Sequence, residues 1–231
     1  MLRERLARIR TRIEEACRRS GRAPSAVTLI GVTKTVPVER IQEALALGLT
    51  DIGENRVQEA VAKHSSLVTS HSPLRWHLIG HLQRNKAKEV VRLFDAIHSV
   101  DSLPLIETLE RQAAEQRRAL EVFIQVNVSG EATKSGCRPD DARALAEAVL
   151  GSPHLALKGL MTMAPFSDHP EDARPHFRRL RELLDEVSSS LHPSITSSLL
   201  LSMGMSQDFE VAIEEGADLV RIGSALFASP Q

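Results

Sequence analysis

Short β-branched runs and stretches of helical period alternate along this chain. The first residues, MLRERLARIRTRIEEACRRS, put Leu2, Leu6, Ile9 and Ile13 on one face and charge on the others, which predicts an amphipathic helix. An apolar run over 27–33 then reads as a strand, and Ile41, Ala44, Leu45 and Leu47 mark a helix over 37–47. The pair recurs as strand 51–53 before a helix through Val57 and Val61, strand 75–80 before helix 83–93, and strand 96–100 before helix 102–116. Pro104 sits near the start of that helix, where proline is tolerated. Strand 121–127 precedes helix 140–150, strand 155–163 precedes helix 171–188, and strand 198–203 precedes helix 207–214. A last strand over 218–222 is followed by a short terminal turn.

Strands alternating with helices imply parallel βαβ units. Eight of them predict a single (β/α)8 TIM barrel that uses residues 1–231 as one domain. A doubly wound open sheet is the competing fold. The N-terminal helix is the one extra element, and a place across the barrel bottom is expected for it. In such a barrel catalytic and binding groups stand at the C-terminal strand ends, and a phosphate site often lies after strands 7 and 8.

Composition narrows the function classes. Twenty-nine basic residues oppose thirty acidic ones, so the chain lacks the charge footprint of a nucleic-acid binder. Six Phe and one Trp build no base-stacking platform. No apolar run approaches the roughly 20 residues of a membrane span, and the charged N-terminus does not read as a signal peptide. Cys17 and Cys137 are too few for a disulfide framework, so a reducing, cytoplasmic compartment is expected. There is no tyrosine.

The strand ends carry the candidate chemistry. Strand 1 runs into Gly31-Val32-Thr33-Lys34-Thr35, which places a lysine at the barrel mouth, partly shielded from water. Burial favours a neutral amine, the form that makes a Schiff base; a solvated loop lysine is the plainer reading. Strand 2 leads to Gly53-Glu54-Asn55-Arg56, where Asn55 is the best ligand-orienting group. His77 and His81 stand on a strand and a turn, not on a helix, so a zinc pair is not expected. His77 reads as a satisfied core histidine and His81 as a pocket border. After strand 5, Lys134 is a second candidate amine or a mobile solvated one, and Cys137 has no activating base. Met161 and Met163 read as core or pocket wall. Strand 7 ends Ser202-Met203-Gly204-Met205-Ser206 and strand 8 ends Arg221-Ile222-Gly223-Ser224. Hydroxyls and exposed backbone N–H groups in both loops suit a phosphorylated ligand. Arg221 points the same way as Gly223, by the two-residue period of a strand.

A Schiff-base lysine, a phosphate cradle and an arginine on strand 8 together suit pyridoxal phosphate. An arginine beside the ring nitrogen disfavours its protonation by like-charge repulsion and makes the ring a poorer electron sink.

The motifs GVTKTVP (31–37), IGENRVQE (52–59), WHLIGHLQRNK (76–86), IHSVDS (97–102), VNVSGEATKSG (126–136), GLMTM (159–163), LSMGMSQD (201–208) and VRIGSALF (220–227) resemble those of the pyridoxal phosphate homeostasis family (YggS/PROSC). The resemblance runs from about Leu6 to Phe227. It implies the alanine racemase N-terminal-like barrel standing alone, with pyridoxal 5′-phosphate as an aldimine on Lys34 and Arg221 facing the pyridine nitrogen. Ser202, Gly204, Gly223 and Ser224 then fall in phosphate-binding segments, Asn55 lies near the cofactor, and Lys134 matches a loop lysine associated with cofactor transfer. Val36 stands where many members carry lysine, which argues against a lysine relay there; Ser224 often corresponds to threonine. The implied function is buffering or delivery of the cofactor, by a monomer, with pyridoxal-phosphate-dependent apoenzymes as recipients and without robust catalysis. A small racemase-like enzyme is the alternative, and an aldolase using Lys34 directly is a third. The related racemases take a second base from a tyrosine on an additional β-domain, and this sequence has neither.

Overall fold

A computed structural model describes residues 1–67, 74–131, 133–191 and 199–228. Eight parallel strands close into one barrel in sequence order: β1 (Thr28–Val32), β2 (Asp51–Glu54), β3 (Arg75–Leu78), β4 (Ala96–Val100), β5 (Leu120–Gln125), β6 (Leu155–Met161), β7 (Leu200–Met205) and β8 (Leu219–Ile222). Thr28 pairs with Leu219 and Gly31 with Ile222, which closes the ring and excludes the open sheet. Ser198, where the seventh strand was expected to start, lies outside the described residues.

The helices between strands are α2 (Val38–Ala46), α3 (Val57–Leu67), α4 (Ala87–Leu93), α5 (Leu103–Gln116), α6 (Ala142–Leu150), α7 (Arg174–Ser190) and α8 (Phe209–Glu214). Residues 84–86, 139–141 and 170–173 form tighter single turns ahead of α4, α6 and α7, so those three helices start later than the pattern predicts. Pro139 and Pro170 open two of these turns, since proline fits a helix's first turn but not its interior.

The final helix, α9 (Ser224–Phe227), is four residues long and cannot cover the β8–β1 seam alone. Helix α1 (Leu2–Arg19) does so instead, packing against α2, α8 and α9 in the outer layer rather than across the barrel bottom as expected. Its apolar face, Leu2, Leu6, Ile9, Ile13, Ala16 and Cys17, is buried in the large core between strands and helices. Its polar edge is tied down by Arg12 to Glu210 at 2.7 Å and by Arg10 to the Gly48 carbonyl at 2.8 Å.

The barrel interior is different. Ile30, Phe123, Met161 and Leu219 make a small separate apolar cluster there. The remaining inward positions include His77, His98, Ser202 and Arg221, all buried and polar.

Ile9→Ala removes a fully buried side chain of α1 and is expected to lower unfolding free energy by about 2–5 kcal/mol. Urea unfolding followed by circular dichroism measures it; a loss under about 1 kcal/mol shows that α1 is not part of the cooperative core.

Candidate functional site

The turn after β1 presents Lys34. The Val36 N–H closes it onto the Thr33 carbonyl at 3.0 Å. Thr35 takes φ 60°, a left-handed conformation that a β-branched residue rarely adopts. The cost is met by neighbours: the Thr35 N–H donates to Glu59 Oε2 at 2.9 Å, and the Thr33 hydroxyl to Glu54 Oε1 at 2.7 Å. Lys63 Nζ binds both the Thr33 carbonyl, at 2.7 Å, and Glu54 Oε1, at 2.8 Å. Residues on both sides of Lys34 are thus anchored, while the lysine is exposed. The strand-end position predicted partial shielding; the strained turn instead lifts the side chain clear of the strand.

Across the mouth, the loop after β7 meets the loop after β8. Ser206 Oγ accepts the N–H groups of Gly223, at 3.2 Å, and Ala225, at 3.3 Å. Asp208 Oδ1 accepts the Met205 N–H at 2.6 Å and holds the β7 loop in place. Burial raises the pKa of Asp208 above the usual aspartate value, against the lowering effects of that bond and of Arg221. Gly204, at φ 92°, lies so close to α8 that a Cβ would stand 2.5 Å from that of Ala212.

Below the mouth lies Arg221, 3 % exposed. It donates to Ser202 Oγ at 2.6 Å and to the Thr162 carbonyl at 2.8 Å. Burial lowers its pKa to about 10, only partly opposed by Asp208. His98 Nδ1 lies 2.8 Å from Ser202 Oγ, His98 Nε2 lies 2.9 Å from His77 Nδ1, and His77 Nε2 lies 2.9 Å from Asp51 Oδ1. Burial drives the His98 pKa well below its ordinary value, and the charge of Arg221 adds to the effect. Burial also pushes the carboxyl of Asp51 upward, but its bonds to His77 and Thr50 bring the net shift below the usual value.

One cavity of about 330 Å³ joins these parts. Of the residues predicted from sequence, Lys34, Arg221, Gly223 and Ser224 line it, together with Met205 and Ser206. Asn55, Ser202 and Gly204 do not. Asn55 is half-buried under Gly80, whose absent Cβ would lie 2.2 Å from the Asn55 carbonyl. Ser202 faces the barrel interior beneath the cavity, and Gly204 serves the approach of α8. Lys134 stands apart on the loop after β5, its Nζ 3.5 Å from Glu131 Oε1. His81 is exposed, and His77 is the satisfied core histidine that its sequence position suggested. Met161 is core and Met163 is partly exposed. The Cys137 thiol is pushed up to about 12 by burial, which removes it as a nucleophile. No cluster able to hold a metal ion occurs among the described residues. Val36 lines an adjoining cavity of about 580 Å³ that shares Lys34 and Gly223 with the first.

Sequence reading singled out Ser202 and passed over Ser206, though both lie in the LSMGMSQD run. The period of two was the available signal: it turns Ser202 inward with Arg221. The role of His98 had no local signal at all, since Ser202 is 104 residues away.

The sequence profile of the alanine racemase N-terminal domain matches residues 5–230. A pyridoxal phosphate homeostasis protein from Aquifex aeolicus is 46 % identical over 224 residues, covering 97 % of this chain and 96 % of that one. A protein of the same name from Pseudomonas aeruginosa is 45 % identical over 226 residues, covering 98 % and 94 %. The solved structure of PipY from Synechococcus elongatus with PLP bound is 37 % identical, has a TM-score of 0.84, and covers 99 % of this chain and 100 % of its own.

The neutral, buried His98 predicts an acid sensitivity. Below its unfolded pKa of about 6.5 the unfolded chain binds a proton there that the folded barrel refuses, so stability falls as pH falls from that point. The expected loss from this group is about 1.4 kcal/mol per pH unit, starting near 6.5. Urea midpoints between pH 7 and 5 measure it. His98→Asn should flatten the slope by close to one proton, and an unchanged slope contradicts the assignment.

Proposed function

This chain belongs to the pyridoxal phosphate homeostasis family, built on the alanine racemase N-terminal domain, and from that membership we propose that it holds pyridoxal 5′-phosphate covalently at Lys34 for later release. The observation that carries the reading is one cavity lined by an exposed lysine amine, a buried guanidinium and the small hydroxyl and N–H groups of two loops. Its volume of about 330 Å³ lies within the range of small-molecule sites, roughly 300–1,000 Å³. When bound, the cofactor supplies an aldehyde that condenses with an amine and expels water.

The chain's own groups divide the work. Lys34 Nζ is the amine that would meet that aldehyde, and its exposure leaves the position open to water and to an incoming amine. Ser224 and the Gly223 backbone stand opposite and suit a phosphate, with Ser206 fixing their loop through its hydroxyl. Arg221 is committed on one side to Ser202 and Thr162 and offers its remaining N–H groups as donors to a ring nitrogen. Asn55, Ser202 and Gly204 would support this site from behind rather than touch the ligand.

Holding is favoured over turnover by what surrounds the cavity. A racemase needs a second positioned base. His169 is at the rim, but among the described residues nothing bonds to its imidazole to orient it. Both cysteines are free and buried, which supports a reducing, cytoplasmic setting, and no helix among the described residues is long and apolar enough to cross a membrane. We infer that the chain acts as a monomer, passing cofactor to apoenzymes or to the free pool.

Borohydride reduction of the protein mixed with pyridoxal 5′-phosphate is expected to leave its mass increment on the peptide containing Lys34. Lys34→Ala should retain less than about a tenth of the wild-type cofactor. An adduct mapped to another lysine sinks the assignment. Cα deuterium incorporation into added amino acids at enzyme-like rates, lost in Lys34→Ala, would establish the racemase-like alternative instead.

A further inference from the structure

We propose that Asp51, His77, His98 and Ser202 form a one-directional hydrogen-bond relay across the barrel that positions Arg221, so that its free N–H groups face the cavity as fixed donors. The proposal rests on the reading of the cavity as a pyridoxal phosphate site and adds residues that never touch the ligand.

The direction follows from what each group can do. Arg221 has only donors, so Ser202 Oγ, 2.6 Å away, must accept from it. The serine proton is then free to point at His98 Nδ1, at 2.8 Å, which must be unprotonated to receive it. The proton of a neutral His98 therefore sits on Nε2 and is donated to His77 Nδ1 at 2.9 Å. His77 in turn carries its proton on Nε2 and donates to Asp51 Oδ1 at 2.9 Å. Asp51 Oδ2 takes the Thr50 hydroxyl at 2.7 Å. A donor-only cation closes one end and an acceptor-only carboxylate the other, and both ends demand the same polarity. With two neutral imidazoles between them, no member is left without a partner.

The relay holds; it does not conduct. Passing a proton along it would neutralise both Arg221 and Asp51. Burial leaves Arg221 near 10, while Asp51 lies below the 3.8 of a free carboxyl, so the proton stays on the guanidinium. The ring of His98 is further pinned by stacking on Phe123, with centroids 4.4 Å apart. The second hold on Arg221, the Thr162 carbonyl, is fixed in its turn by the Thr162 hydroxyl on the Val126 carbonyl at 2.8 Å. Two acceptors on separate strands leave the planar guanidinium one orientation.

The test has two arms. In cofactor-free protein with ¹⁵N-labelled histidine, His98 should be a neutral Nε2–H tautomer from pH 6 to 8, and the His77 ring should carry its proton on Nε2 with Nδ1 accepting. A protonated His98, or a proton on its Nδ1, reverses the relay and overturns the proposal. In the second arm, ring-¹⁵N pyridoxal 5′-phosphate is added to wild type, Ser202→Ala, His98→Leu, His98→Asn and Ile9→Ala. The wild type should show an unprotonated, hydrogen-bonded ring nitrogen. Ser202→Ala and His98→Leu should move that shift and weaken binding about tenfold, because Arg221 loses its lateral hold. His98→Asn, whose side-chain oxygen can accept where Nδ1 did, should restore both. Ile9→Ala, destabilising but on the outer helix α1 and away from the relay, should leave both unchanged. Equal effects from Ile9→Ala and Ser202→Ala, or none from Ser202→Ala, reduce the chain to packing and overturn the proposal. Failure of the underlying reading is separately visible, as a wild type that takes up no cofactor while the tautomers stand as derived.

Discussion

A guanidinium taken out of water costs several kcal/mol unless its N–H groups meet acceptors. Arg221 is buried in the barrel with its pKa held near 10, and the interior is arranged around satisfying it. Ser202 and the Thr162 carbonyl bind it directly, and behind Ser202 the two histidines lead to a carboxylate on the far wall. This explains why the inward-facing positions are not the branched apolar layers usual for the fold. Among the described residues the separate interior apolar cluster is Ile30, Phe123, Met161 and Leu219, with Leu200 packed against it. A core of that kind throughout would be at least as stable, so the polar chain is best understood as specifying orientation at the site.

The outer layer solves a different problem. The barrel closes between β8 and β1, and the helix that should cover this seam is four residues long. Gly223 and Ser224, at the start of that helix, line the cavity. Helix α1 fills the gap with an apolar face from Leu2 to Cys17, and its arginines reach Glu210, Glu214 and the Gly48 carbonyl. The element that is surplus to the eightfold repeat is therefore the one that lets the last loop stay short.

Periodicity was enough to read the barrel, because strand and helix signatures are local and repeat eight times. The loop chemistry at Lys34, Gly223 and Ser224 was legible for a related reason: in this fold the strand ends converge wherever the sequence puts them. Ser202 and Ser206 show the limit. Their types are identical and their spacing of four gives them the same strand parity; they differ because Ser202 lies within β7 and turns inward to Arg221, while Ser206 lies past the strand's end and braces Gly223. The relay lay beyond reach altogether. Asp51, His77, His98, Ser202 and Arg221 sit on five strands, and nothing in the neighbourhood of any one of them announces the others. The seat of α1 was misjudged because the repeat locates an extra helix in order but not in space.

The exposure of Lys34 bears on what the site does. A carbon–nitrogen bond to an aldehyde is undone by water or by a second amine, so access governs how long it lasts. Here Arg221, which we propose meets the ring nitrogen, is buried and held from two sides, while the lysine stands on a turn that lifts it into solvent. The turn is not loose: Glu59 holds the Thr35 N–H and Lys63 the Thr33 carbonyl, while Glu54 binds Lys63 and the Thr33 hydroxyl. Rigid recognition at one end and an accessible bond at the other is the combination that a holding protein needs. An enzyme of the same chemistry needs the reverse at the lysine, with water excluded and a second base oriented. The geometry at Lys34 thus argues for release on the same grounds that the geometry at Arg221 argues for capture.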